Sequence, residues 1–339
     1  SLLMPIYLII IFIAFGALFA VFVALTALAF YVQNKAFGGR FDKNKDLRYF
    51  SAEDFSLSAV PVKTYDKKTL LRGYLYSRAD VSSAGALVIF SHGMGPGHCA
   101  YTTEIAYFCD HGFAVLAFDC AGCGLSDGGS MRGMEASTRA LIAAVKFARS
   151  DNRLKNFKIY IVGHSMGAYS ALCAAPYAMP DGIVAFSAPE RPSYMVRHGA
   201  APVIGKTLAK ILRPFVCMAA HMFFGKYADL SASRQVALSG VPALIFHGDE
   251  DEMVPLACSA YFASDSPNVK TVLCRGKGHN PYNTFAAEKL LRELAAAVGR
   301  ANEMDRDEKE KFFSSIDYAA VCEEDETVMG EALSFISAD

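Results

Sequence analysis

Gly163-His164-Ser165-Met166-Gly167 follows the strand-like run Lys158-Ile159-Tyr160-Ile161-Val162 and precedes a helix-like run, Ala168 to Tyr177. Strand, tight turn and helix stand in immediate succession, with a serine at the apex. An apex residue takes a strained backbone, and the positions two away must lack side chains for strand and helix to pass. Gly163 and Gly167 meet that need. The turn projects the hydroxyl out of the sheet. The helix N-terminus behind it offers main-chain N–H groups to a developing negative charge.

Around this turn, short apolar runs alternate with amphipathic helical stretches. The runs are Ala86–Phe90, Ala114–Phe118, Ile159–Val162, Ile183–Phe186, Ala243–Phe246 and Thr271–Leu273. The helical stretches include Tyr101–His111, Gly133–Arg149, Ala168–Tyr177, Cys258–Ala263 and Phe285–Val298. Continuous apolar strands alternating with helices predict a mostly parallel central sheet with helices on both faces, an α/β fold. Upstream, Leu57–Tyr65 and Thr69–Tyr76 read as a hairpin closed by Asp66-Lys67-Lys68. Residues 190–239 break the alternation with Pro192, Pro202, Pro214 and two helical runs near Val203–Leu212 and Val216–Phe224. Their place between two core strands predicts a helical cap over the strand C-termini, the edge where such sheets bind ligands.

The chain of 339 residues is 53% hydrophobic and 20% charged, more apolar than an ordinary soluble domain. Much of the excess lies in Leu2 to Val32, which holds no charged side chain and is long enough to cross a bilayer. A signal peptide would need a basic start, a shorter core and a small-residue cleavage site. The expectation is an uncleaved transmembrane helix over 1–33. Lys35, Arg40, Lys43, Lys45 and Arg48 follow it and no Lys or Arg precedes it, which places the bulk of the chain on the cytoplasmic side. Nine scattered cysteines fit a reducing compartment, and Cys120-x-x-Cys123 lacks a second pair for zinc. A net charge of −1 and the absence of a basic, aromatic-interleaved patch argue against nucleic acid. The expected organisation is a membrane helix over 1–33, a basic linker over 34–54, the α/β domain over 55–300 and an acidic tail over 301–339.

A serine hydroxyl is a weak nucleophile without a base, normally a histidine oriented by a carboxylate. On a strand–turn–helix serine the chain order is Ser, acid, His. Downstream of Ser165, two loops after apolar strands offer Asp249-Glu250-Asp251-Glu252 and His279. All three groups then stand at one sheet edge. Asp249 is nearest the strand end and Asp251 has more reach; geometry alone does not separate them. Two N–H groups must face the oxyanion. Met166, after the serine, supplies one, and Met94 in the loop Ser91-His92-Gly93-Met94-Gly95-Pro96-Gly97 is the candidate for the other.

With these residues placed, residues 55–298 resemble the α/β-hydrolase superfamily, nearest its monoacylglycerol lipase, lysophospholipase and serine aminopeptidase-like branch. The His92-Gly93 loop, the run Phe118 to Gly128 and the serine turn carry the resemblance. The middle run has Ala121 and Cys123 where that branch usually has Arg and His. The family pattern of Gly, two spacers, Asp and then Val-Pro matches Gly248, Asp251 and Val254-Pro255, so the resemblance implies Asp251 as the acid, with Asp249 second. It also implies no metal or organic cofactor. The expected protein is a membrane-anchored serine hydrolase of an ester or thioester with an apolar acyl group. Acyl transfer, peptidase action and a catalytically silent, membrane-tethered binding module are the alternatives.

Overall fold

Eight strands form one sheet in the order β1-β2-β4-β3-β5-β6-β7-β8 in a computed structural model that describes residues 5–263 and 265–337. The hairpin is β1 (Ser58–Asp66) and β2 (Thr69–Ser77), paired antiparallel, and β2 also runs antiparallel to β4 (Ala114–Phe118). The rest is parallel: β3 (Leu87–Ser91), β5 (Ile159–His164), β6 (Gly182–Phe186), β7 (Ala243–Gly248) and β8 (Val269–Cys274). Every residue of β3 to β7 is buried, because helices cover both faces of the sheet.

Alternation along each strand divides the core. Leu87, Ile89, Ile159, Ile161, Ile183 and Ile245 pack with α3 (Glu135–Ser150) and α4 (Met166–Ala178). Val88, Phe90, Val115, Val162, Val184 and Phe246 pack on the other face, with α2 (Thr102–Asp110). That second cluster also takes in Val328, Met329, Ala332 and Ile336 of the last helix. The end of the stretch read as an acidic tail, residues 326–336, is therefore folded onto the sheet, while Ala301, Phe313 and Val321 pack in a separate cluster with Leu294. The apolar side chains of 326–336 recur three and four positions apart and gather on one helix face.

The 190–239 insertion is helical, but its break falls elsewhere than expected. The helices are α5 (Pro192–Ile204), α6 (Lys206–Phe224) and α7 (Ala232–Ser239). The residue pattern predicts a helix end before Pro214; instead the turn is at Gly205, where φ is 82°. Glycine takes that conformation freely, whereas Pro214 removes only one donor from the long α6 and is exposed. Likewise, Cys258–Ala263 forms short 3₁₀ turns rather than a helix.

The first helix, α1, spans Ile6–Phe37; Leu2–Met4 of the apolar run lie outside the described residues. It is long and apolar enough to cross a membrane, by length and composition. Beyond β8 the chain continues through α8 (Phe285–Arg300), α9 (Arg306–Ser314), α10 (Tyr318–Val321) and α11 (Glu326–Ile336).

Candidate active site

Three loops at the C-terminal edge of the parallel strands build the site. Ser165 joins β5 to α4 with φ 54° and ψ −119°, a region that serine occupies only when its surroundings impose it. Its N–H donates to Phe186 O at 2.8 Å. A Cβ on Gly163 would stand 2.6 Å from the carbonyl of Gly167, and one on Gly167 would stand 1.8 Å from Ser91 O. The two glycines thus bring β5, the start of α4 and the end of β3 into main-chain contact, and the hydroxyl is held outward.

His279 leaves the loop after β8. Its Nε2 lies 3.0 Å from Ser165 Oγ and its Nδ1 lies 2.8 Å from Asp251 Oδ2. With the proton on Nδ1 donated to the carboxylate, Nε2 is free to accept from the serine O–H. Asp251 Oδ1 accepts from the N–H groups of Met253 and Val254, at 2.9 and 2.8 Å. Burial alone would raise the Asp251 pKa, but the hydrogen bond and charge of His279, aided by the Val254 N–H, hold it below the ordinary carboxylate range. Asp249 turns away and accepts from Gly276 N–H at 2.6 Å. His247 sits 3.5 Å from Asp251, yet burial lowers its pKa and its Nε2–H donates to Val254 O at 2.9 Å. It is a neutral neighbour rather than an ion-pair partner.

Met166 opens α4, and Met94 lies in the loop after β3. Among the described residues, neither N–H donates a main-chain hydrogen bond. Met94 and Met166 line the same cavity as Ser165, and the positive end of α4 lies at Ser165.

A sequence model described as serine aminopeptidase S33 matches residues 82–221. The esterase Pf2001 from Pyrococcus furiosus superposes with a TM-score of 0.56 at 20% identity, covering 78% of this chain and 97% of that one. The α/β hydrolase GrgF from Penicillium sp. sh18 superposes with a TM-score of 0.50 at 19% identity, covering 73% of this chain and 96% of that one. No curated protein matches the chain. The chain has the α/β-hydrolase fold.

Within this fold, Asp251 and His279 lie beyond the segment that the family model matches. Supports that the sequence did not signal hold them in place. A Cβ on Gly248 would meet the carbonyls of Lys277 and Gly278 at 2.2 Å, so the acid loop and the His279 loop touch main chain to main chain. The buried carboxylate of Glu288 accepts from the N–H groups on both sides of His279, Gly278 at 2.9 Å and Asn280 at 3.2 Å. In sequence Glu288 resembles any acid in a first helical turn. Lys277 Nζ donates to Asp325 Oδ2 at 2.8 Å and to Asn283 O, joining this loop to α11. The loop after β3 is fixed by His92, whose Nδ1–H donates to Gly93 O at 2.7 Å while Nε2 accepts Cys120 N–H at 3.0 Å.

A cavity of about 700 Å³ opens onto Ser165 and His279, within the usual range for a small-molecule site. Apolar side chains dominate its lining, including Met94, Met134, Met195 and Val254. The polar groups besides the serine and histidine are few, Lys35, His198 and Glu252 among them.

Proposed function

We propose that this protein is a membrane-anchored serine hydrolase of the α/β-hydrolase superfamily that cleaves a carboxylic ester or thioester with an apolar acyl group. The observation that carries the reading is the continuous hydrogen-bonded row Ser165–His279–Asp251 beside an apolar cavity. Ser165 Oγ attacks the acyl carbonyl carbon while its proton passes to His279 Nε2. Asp251 balances the imidazolium that results. The N–H groups of Met94 and Met166 receive the oxyanion. Collapse of the tetrahedral intermediate breaks the bond to the leaving alcohol or thiol, which takes the proton from His279. Water then repeats the sequence on the acyl-enzyme, releasing the acid and restoring Ser165. No cofactor or metal takes part.

The apolar α1 is the proposed anchor, and the basic residues from Lys35 to Arg48 support a cytoplasmic catalytic body. Reporter fusions at the two ends test that orientation; an external C-terminus would overturn it. The reaction class is tested by offering the purified protein an acyl ester, with and without added alcohols, and an aminoacyl anilide. Free acid as the main product from the ester, with little anilide cleavage, is the expected result. Preferential cleavage of the anilide would instead favour peptidase action, and acyl transfer to the alcohol would favour a transferase.

A further inference from the structure

The first helix does more than lie near the site. Its residues 6–24 are almost wholly exposed and span about 28 Å at 1.5 Å per residue, close to the thickness of a bilayer's hydrocarbon core. From Leu25 onward the helix packs on the cap. Ala29 is buried with Leu212 and Val216 of α6, and the rings of Phe30 and Phe223 meet at 6.0 Å.

This attachment is rigid. The buried Gln33 amide donates to Arg132 O at 2.8 Å, and Arg132 N–H donates to Phe37 O at 3.2 Å. The Arg40 guanidinium then donates to the carbonyls of Gly124, Ser126 and Gly128. Phe41 exchanges main-chain hydrogen bonds with Gly122 and Gly124. A helix serving only as a tether has no need of this seam.

The seam fixes Leu28, Tyr31, Val32 and Lys35 as lining of the cavity that reaches Ser165, opposite Met195 and Val203 of α5. The ring pairs Phe22–Phe215 and Phe30–Phe223 advance together along both helices, so α6 starts on the side of the exposed half of α1. At that end Val203 is 84% and Ile211 50% exposed, beside the exposed Lys206 and Lys210. Apolar side chains interleaved with lysines suit a membrane interface.

We propose that the last three turns of α1 form one wall of the acyl-binding cavity, and that the substrate's acyl chain enters it from the bilayer alongside α1. This rests on the reading of Ser165 as the nucleophile and α1 as the membrane span. Because the same helix contacts lipid and lines the cavity, an acyl chain passes from one to the other along a continuous apolar surface.

The test uses the full-length protein in phosphatidylcholine–phosphatidylglycerol nanodiscs. The readout is the ratio of kcat/KM for monooleoylglycerol to that for monobutyrylglycerol. Val32→Trp, which fills the cavity, is expected to lower the ratio at least roughly tenfold, and the smaller step Leu28→Phe by roughly threefold. Ile13→Trp, on the exposed half of α1, is expected to leave the ratio at its wild-type value. A second arm compares monooleoylglycerol placed in the enzyme's own nanodisc with the same ester in separate discs. Faster turnover in the enzyme's own disc is expected, and equal rates would overturn entry from the bilayer. An unchanged ratio in both Val32→Trp and Leu28→Phe, or an equal fall in Ile13→Trp, would overturn the wall. Fluorophosphonate labelling of the wild type separates the two levels. If the folded wild type neither labels nor turns over either ester, the underlying hydrolase reading fails, and this proposal with it.

Discussion

The imidazole of His164 donates from Nε2 to the main-chain carbonyl of His279 at 2.9 Å. Its Nδ1 accepts from the Tyr101 hydroxyl at 2.9 Å, and that hydroxyl accepts from Gly93 N–H at 3.0 Å. The residue before the proposed nucleophile therefore links the loop after β3 to the backbone of the proposed base. Accepting at Nδ1 requires a neutral ring. Burial, with the His279 charge beside it, lowers the His164 pKa to about 3 from an ordinary 6.5. Between those values the unfolded chain binds the proton and the native chain does not, so stability falls as pH falls through this window. The slope from this residue approaches about 1.4 kcal/mol for each pH unit. Denaturant midpoints from pH 7 down to 4.5 are expected to fall less steeply in His164→Asn than in wild type; parallel curves would contradict the assignment.

Asp251 and Asp249 are two residues apart and face different partners. Asp251→Asn can keep one oxygen for Met253 and Val254 but turns an amide toward His279 Nδ1, which favours the wrong tautomer. The expected loss in kcat is about 10³- to 10⁴-fold, the scale seen when the orienting acid of such a triad becomes an amide. Asp249→Asn removes charge from a loop contact with Gly276 and is expected to cost kcat roughly threefold at most, as a surface change away from the reacting atoms. Esterase assays on both variants decide; comparable losses would contradict the assignment of the acid.

Gly167 is fixed by main-chain contact. A methyl there would lie 1.8 Å from Ser91 O and 2.7 Å from His92 O, atoms that belong to the end of β3 and cannot swing aside. Gly167→Ala is expected to destabilise by about 3 kcal/mol, the upper end of overpacking costs, or to prevent folding. Gly129→Ala, with nothing within 4 Å of the added carbon, is expected to stay within about 0.5 kcal/mol of wild type. Thermal melts of the two variants give the comparison, and a Gly167→Ala melt at the wild-type temperature would contradict it.

Much of this fold is legible in the residues alone. The serine turn is readable because strand, glycines and helix are contiguous, so a local pattern carries a local geometry. Strands β3 to β7 announce themselves as unbroken apolar runs, and β4 begins and ends at Ala114 and Phe118, the bounds of its apolar run. Asp249 and Asp251 cannot be separated from the residues alone, because the choice depends on how the β7 loop meets the β8 loop at Gly248 and Gly278. Glu288 and Gln33 give no signal, since a helix acid and a helix-end amide gain meaning only from the main chain they meet. The α5–α6 break is misplaced when proline is weighed above the glycine whose backbone makes the turn. The folding of residues 326–336 onto the sheet is hidden by the acidic residues interspersed with its apolar ones.

The most direct measurement is turnover of a p-nitrophenyl acyl ester by the full-length protein and its Ser165→Ala variant, with fluorophosphonate labelling located by mass spectrometry. The wild type is expected to hydrolyse the ester and carry the label on Ser165. The variant is expected to lose at least about 10⁴-fold in kcat, consistent with removal of a triad nucleophile, and to take no label. A folded Ser165→Ala variant that turns over the ester at the wild-type rate, or a label on another residue, would contradict the account.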